Sequence, residues 1–400
     1  MDNTTHDPLL DMLHEDRSTY RGAFNPPIYR SSTFAQKSLA QFMSPDVIKP
    51  PNFVYSRVAN PTTRVFEEMV ARMENADDAI AFGSGMGAIT AALMAFLQNG
   101  DHVLCVKSVY HPAQDFLTML TPRMNLTVDY FDVDADLEPL VRPNTRLIYC
   151  ESPTSGRFEV LDLRAISRVA KAHGVLTIID NTWATPIYQK PLDLGIDISL
   201  HSATKYINGH ADAMCGVLVA SSKLMETLRP MAIALGATLS PEDAFLSIRG
   251  LRTLAIRMPH HMESGLTIAR WLKAQPLVSE VRHPGLSDSP YYELGRAQMS
   301  GCSGLFAFAL QAAPADSGTY TAEAFADALT LFGLAPSWGG FESLILPVDV
   351  TVGSAPVFRL SIGLEPPSAL IADLEQALVK YGAALHETSI TRQVSAQPIA

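Results

Sequence analysis

Cysteine is scarce in this sequence. Four residues, Cys105, Cys150, Cys215 and Cys302, are spread through 400 positions. Three lie in apolar, strand-like runs and none has the paired spacing of a zinc site, so neither a disulfide framework nor a cysteine metal centre is expected. Excess positive charge is missing too. Lys and Arg total 30 against 41 Asp and Glu, a net charge of −11, opposite in sign to the basic face that sequence-independent nucleic-acid binding requires. No apolar run approaches the ~18 residues that would suggest a membrane span, and there is no internal repeat. The first twenty residues are polar and acidic, without the charged-then-apolar order of a secretion signal. These absences give the expectation of a cytoplasmic chain with no nucleic-acid and no membrane partner. What is present is a globular composition, 47% apolar and 18% charged, long enough for two domains and an arm.

Residues 1–58 lack sustained periodicity and carry Pro26, Pro27, Pro45, Pro50 and Pro51. Such a stretch cannot build its own core, so it is expected to be an arm lying on another surface. From Asn60 onward, helical and strand-like patterns alternate. Amphipathic spacing predicts helices over 63–75, 86–98 and 162–173; apolar runs predict strands over 79–82, 101–106, 146–150, 175–179, 196–200 and 216–220. The alternation implies an α/β fold with a mainly parallel sheet covered on both faces and ligands at the carboxyl ends of its strands. A long helical pattern over 242–274 leads into a second, smaller domain, with strands at 304–310 and 358–362 and helices at 322–331 and 368–378. The expected division is an arm over 1–58, a large domain over 59–245, a second domain over 246–386 and a polar, mobile tail over 387–400.

Two short runs carry the chemistry. Asp180 ends the apolar stretch Val175-Leu176-Thr177-Ile178-Ile179, and Lys205 follows Ile196–Leu200 in the run His201-Ser202-Ala203-Thr204-Lys205-Tyr206. A lysine beside two hydroxyls, with a carboxylate one strand away, suits pyridoxal 5'-phosphate. The amine condenses with the aldehyde, the carboxylate keeps the pyridine nitrogen protonated, and the hydroxyls of Ser202 and Thr204 bind phosphate. Alone, either run would read as an exposed lysine or an ordinary strand-end aspartate.

At these residues the chain resembles the pyridoxal-phosphate enzymes of cysteine and methionine metabolism, the cystathionine lyase and synthase group. Tyr55-Ser56-Arg57-Val58-Ala59-Asn60-Pro61-Thr62, Phe82-Gly83-Ser84-Gly85-Met86, Glu151-Ser152-Pro153-Thr154, Ser337-Trp338-Gly339-Gly340-Phe341-Glu342-Ser343-Leu344 and Arg359-Leu360-Ser361-Ile362-Gly363-Leu364-Glu365 look like that family's blocks, in its order. The Ser337-Trp338-Gly339-Gly340 segment and Gly250-Leu251-Arg252-Thr253-Leu254 look most like those of bacterial cystathionine β-lyases. The resemblance implies the aspartate-aminotransferase type I fold of pyridoxal-phosphate-dependent transferases and a carbon–sulfur lyase in methionine biosynthesis and transsulfuration. It also implies a homo-oligomer, a dimer of dimers with shared active sites.

The Phe82–Gly87 turn links a strand to a helix, where backbone N–H groups and the dipole attract an anion; with the resemblance, this makes Gly85 and Met86 the phosphate cradle. By resemblance, Tyr110 stacks on the cofactor and carries protons near the substrate, and Tyr55 and Arg57 reach the phosphate of the neighbouring subunit. Arg359 opens the segment resembling the site for the substrate carboxylate, where a guanidinium gives a two-pronged match; Ser337 and Trp338 border it, and Ser155 replaces an asparagine of many relatives. His111, His201, His210, His260 and His261 are read as structural or supporting. Members that eliminate or replace at Cγ typically carry Glu before the Ser-Leu-Gly-Gly segment and Asn-Pro after Glu-Ser-Pro-Thr. Here Pro336 and Ser155-Gly156 stand instead, which points to β-elimination of cystathionine. The alternatives are a cystathionine γ-lyase or γ-synthase, an O-acylhomoserine sulfhydrylase, and a binding protein that keeps the fold without the activity.

Overall fold

The computed structural model describes residues 8–14, 17–48, 52–312, 320–351 and 354–395. They form two compact units, one of 1–155, 161–255 and 298–300, the other of 156–160, 256–297 and 301–400.

The first unit begins with two short helices, α1 (Pro8–Leu13) and α2 (Leu39–Phe42). Its layers are then α3 (Pro61–Met73), β1 (Asp78–Phe82), α4 (Gly85–Phe96), β2 (His102–Val106), α5 (His111–Met124), β3 (Thr127–Phe131), β4 (Thr145–Glu151), α6 (Leu163–His173), β5 (Leu176–Asp180), α7 (Thr185–Tyr188), β6 (Ile198–His201), β7 (Gly216–Ala220) and α8 (Ser222–Leu235). Local chemistry sets the helix starts. Asn60 accepts a hydrogen bond from the Thr62 N–H with Pro61 in the first turn, and Asp162 does the same for Ala165. Gly174 closes α6 at φ 66°, the left-handed region that glycine enters without a Cβ clash.

The seven strands lie in the order β1-β7-β6-β5-β4-β2-β3. Pairing is parallel from β6 through β3, while β7 runs antiparallel to both β6 and β1. The central strands are buried on both faces, which is why they read as unbroken apolar runs. Part of the expected arm is laced to this unit. Thr62 Oγ1 donates to the Pro27 carbonyl and accepts from the Tyr29 N–H, and Asn60 Nδ2 donates to the Tyr29 carbonyl.

The helix α9 (Pro241–Lys273) starts in the first unit and ends in the second. Glu242 and Asp243 in its first turn and Arg270 and Lys273 in its last complement the helix dipole. The second unit continues with β8 (Val278–Arg282), α10 (Tyr292–Gln298), β9 (Leu305–Leu310), α11 (Tyr320–Ala326), β10 (Gly333–Leu334), β11 (Leu344–Asp349), β12 (Val357–Ser361) and α12 (Pro367–Ser395). Its sheet, β10-β11-β12-β9-β8, is antiparallel except for β10 with β11. Aromatic rings fill its core: Phe308 lies 5.8 Å from Phe325 edge to face and 5.9 Å from Phe358 stacked.

Two sequence expectations are corrected. The helix expected over 322–331 ends at Ala326, because the N–H groups of Thr330 and Leu331 turn instead to the Asp373 carboxylate, at 3.0 and 2.8 Å. The tail expected to be patternless from 387 continues as helix to Ser395, with no glycine or proline in 383–395 to stop it; residues 396–400 lie outside the described residues.

Candidate active site

β5 and β6 are parallel neighbours, with Asp180 opposite Leu200, so the Asp180 carboxylate and the turn that follows β6 emerge at one sheet edge. Asp180 is buried. Its Oδ1 accepts the Thr182 N–H at 2.9 Å and the Thr182 hydroxyl at 2.5 Å, and the Ser202 N–H donates to Thr182 Oγ1 at 2.8 Å. Thr182 therefore ties the carboxylate to the lysine turn. That turn is tight: the Lys205 N–H reaches the Ser202 carbonyl and the Gly209 N–H reaches the Lys205 carbonyl, at 3.0 and 2.8 Å. Burial raises the pKa of Asp180, while the Thr182 bonds and the charges of His201 and Lys205 favour its ionised form. Both Thr182 bonds fall on Oδ1, which leaves Oδ2 for a protonated ring nitrogen.

Behind this edge, His201 Nε2 lies 2.5 Å from Glu74 Oε1, and Asn181 and Ser199 donate to the same oxygen. Buried and multiply bonded, Glu74 fixes the ends of β5 and β6.

The cradle forms where β1 turns into α4. Ser84 caps the helix by accepting the Gly87 N–H at 3.0 Å, which leaves the Gly85 and Met86 N–H groups without acceptors inside the helix. A Cβ at Gly85 would lie 2.8 Å from Ser202 Cβ and Oγ, so only glycine lets the lysine turn approach the helix start this closely. Thr204 also clamps the turn to the strand that follows, since its hydroxyl donates to the Cys215 carbonyl at 3.1 Å and accepts the Cys215 N–H at 2.9 Å. The helix start offers the Gly85 and Met86 N–H groups to a phosphate, the Asp180 carboxylate suits a pyridinium, and Lys205 stands in the turn that Ser202 ties to Asp180 through Thr182. These residues fit pyridoxal phosphate.

Tyr110 sits at the start of α5 with 43% of its surface exposed. Its N–H donates to Glu151 Oε2 at 2.6 Å. Glu151 ends β4 in register with Asp180 on β5. Burial and the Asp180 charge push its pKa well above the usual carboxylate range, against the pull of the Tyr110 N–H and the Ser155 side chain. Ser155 thus joins the Tyr110 loop, to which its N–H is also bonded through the Ser108 carbonyl at 2.9 Å. From the sequence, Glu151 stands only as the first residue of the Glu151-Ser152-Pro153-Thr154 block, with no role assigned to it. The available signal was that, like Asp180, it is an acid closing an apolar strand.

Tyr55 and Arg57 form their own cluster. The guanidinium lies 5.8 Å from the Tyr55 ring centroid and donates to the Ile233 carbonyl at 2.9 Å, and the Thr238 hydroxyl donates to the Arg57 carbonyl at 3.4 Å. Thr238 also bridges to Phe82 at the end of β1. Arg359, Ser337 and Trp338 belong to the second unit, where Arg359 Nη2 donates to the Pro336 and Ser337 carbonyls at 2.7 and 3.0 Å. The guanidinium is thereby anchored to the Ser-Trp loop. Among the described residues, no group of three or more His, Cys, Asp or Glu side chains could hold a metal ion, and no helix is long and apolar enough to cross a membrane.

Known proteins match this arrangement along almost the whole chain. The family profile described as Cys/Met metabolism PLP-dependent enzyme covers residues 11–379. A cystathionine beta-lyase of Lactococcus lactis subsp. cremoris is 37% identical over 92% of this chain and 97% of its own. An L-alanine/L-glutamate racemase of Wolbachia pipientis is 34% identical over 90% and 94%. The crystal structure of a cystathionine gamma synthase from Xanthomonas oryzae pv. oryzae superposes with a TM-score of 0.87 at 33% identity, over 95% of this chain and 100% of its own.

Proposed function

The chain belongs to the Cys/Met metabolism PLP-dependent enzymes, a family whose cofactor is pyridoxal phosphate, and on that premise we propose that it cleaves L-cystathionine by β-elimination, giving homocysteine, pyruvate and ammonia. The observation that carries the choice of bond is Pro336. Elimination at Cγ needs a base for a Cβ proton, and the position where such family members carry a glutamate is here a residue with no ionisable side chain, its carbonyl spent on Arg359. Ser155 in place of asparagine supports the same direction.

Bound pyridoxal phosphate supplies an electron sink for the substrate's Cα. The chain's own groups do the rest. Asp180 would hold the ring nitrogen's proton, and the Gly85 and Met86 N–H groups, with Ser202 and Thr204, would hold the phosphate. Arg359, with Ser337 and Trp338 beside it, binds the substrate's α-carboxylate. Lys205 Nζ takes the Cα proton, the Cβ–S bond breaks, and the departing sulfur receives a proton from Lys205 or Tyr110. Water then releases pyruvate and ammonia from the remaining three-carbon fragment. Proton transfer of this kind contributes roughly 10²–10⁴-fold.

The enzyme works as a cytoplasmic homo-oligomer in methionine biosynthesis, with Tyr55 and Arg57 reaching the phosphate bound by a neighbouring chain. Hybrids of Arg57→Ala with Lys205→Ala chains test that sharing: recovered activity supports it, and hybrids no better than their parents count against it. A γ-cleaving or γ-replacing reading has behind it the likeness to enzymes of γ chemistry, the Xanthomonas γ-synthase and cystathionine gamma-lyases among them. Incubation of the purified enzyme with cystathionine separates the readings. Pyruvate with homocysteine is the expected pair; 2-oxobutyrate with cysteine would move the enzyme to the γ-lyases.

A further inference from the structure

Two loops at the sheet edge, 108–110 and 151–155, are laced by three hydrogen bonds: Tyr110 N–H to Glu151 Oε2 at 2.6 Å, Ser155 N–H to the Ser108 carbonyl at 2.9 Å, and the Ser155 side chain to the Glu151 carboxyl. Glu151 is the member common to two of them. Tyr110 is the residue at the start of α5, its own side chain makes no capping bond, and its ring is 43% exposed. The turn beneath the ring sets the direction in which the side chain leaves the backbone. That backbone is held across 41 residues by Glu151, which supplies from β4 the cap that the helix lacks locally.

We propose that Glu151 is a positioning residue, whose carboxyl clamps the Tyr110 turn to the Ser155 loop and so sets where the Tyr110 phenol stands. The inference rests on the reading above in one respect, that Tyr110 works at the substrate. The clamp needs no charge. Glu151 faces Asp180 from β5, Cys105 from β2 and Tyr149 on its own strand, with no cation among them, whereas Asp180 has Lys205 and His201 to support its ionised form. Two carboxyls in register on neighbouring strands do not both ionise cheaply, and of the pair Glu151 is the one whose neutral form is favoured. Glutamine reproduces a neutral carboxyl, keeping an oxygen for the Tyr110 N–H and a polar partner for Ser155; alanine removes both arms.

The test places 3-fluorotyrosine at position 110 of the full chain and records its ¹⁹F line in wild type, Glu151→Gln and Glu151→Ala, alongside kcat and KM. Glu151→Ala should shift or broaden the line and lower kcat roughly 10²-fold with a smaller change in KM, the scale of a misplaced catalytic group. Glu151→Gln should keep the wild-type line and stay within about 3-fold in kcat, a change of under 1 kcal/mol. An unaltered line in Glu151→Ala, or a line in Glu151→Gln as disturbed as in alanine, overturns the clamp. Should the alanine variant fail to fold, the glutamine line alone decides by the same criterion. Because the line does not depend on which bond the enzyme breaks, a wrong substrate assignment leaves this test intact.

Discussion

Both units bury ionisable side chains, and one group from each makes a contrast. In the first, carboxyls end neighbouring strands: Asp180 and Glu151 sit in register at one sheet edge, both with pKa values raised, first of all by burial. In the second, histidines lie inside the packing. His261 donates from Nδ1 to the Ile362 carbonyl at 2.8 Å, and burial pushes both it and His283 down to about 4. A histidine kept neutral costs little near neutral pH and acts as a shaped, hydrogen-bonded piece of core. A carboxylate buried without a partnering cation is costly, and its place at a strand end is where a ligand arrives. Position at a strand end, more than burial itself, separates a site from a core.

The largest expected effect is at Lys205. Lys205→Ala should lower turnover by at least the roughly 10²–10⁴-fold of a lost acid–base group while leaving thermal unfolding of the full chain nearly unchanged. Retained turnover, followed as pyruvate release, would move the reaction away from this sheet edge. Next comes Asp180→Asn, which keeps the Thr182 bond geometry and removes the charge. It should weaken cofactor binding and cost on the order of 10²-fold in kcat and not only in KM. Near-normal kcat would mean that another group partners the ring nitrogen.

Smaller, and confined to the second unit's binding role, is Arg359→Lys. A lysine keeps charge but loses the fork held by the Pro336 and Ser337 carbonyls, so KM should rise roughly 10-fold or more. Equal losses in kcat with KM unmoved would show that Arg359 does not grip the ground-state substrate.

The smallest effect concerns stability. His261 and His283 have folded pKa values near 4, below the usual 6.5. The unfolded chain therefore binds their protons first as pH falls, and the stability they lend, whole above about 6.5, drains away toward 4. Between pH 7.5 and 5.5 each should cost about 1.4 kcal/mol, read from urea unfolding. A pH slope unaltered in His283→Gln would remove that residue from the account. The acids run the other way, since a raised folded pKa means that their contribution is lost as pH rises.

Much of this was legible beforehand, for physical reasons that also explain the gaps. Strands buried on both faces, such as β2 and β7, are continuous apolar runs and were located to within a residue. The half-exposed edge strands β3 and β8 have no such run and drew no expectation. Neither did α5 and α8, where Pro122 and Pro230 interrupt the helical pattern. In the candidate site, Asp180 and Lys205 each stand out in a short motif of their own. Glu151 also heads a short block, but the partners that give it a place lie on other elements: the Tyr110 N–H 41 residues away and the Asp180 carboxylate on the neighbouring strand.

The central claim is that the chemistry is anchored where Thr182 joins Asp180 to the Lys205 turn. Borohydride reduction of the purified, cofactor-loaded enzyme, followed by peptide mass spectrometry, tests it most directly. The reduced cofactor should be fixed on Lys205 alone, with no label in Lys205→Ala; label on a different lysine in the wild-type chain would place the chemistry elsewhere.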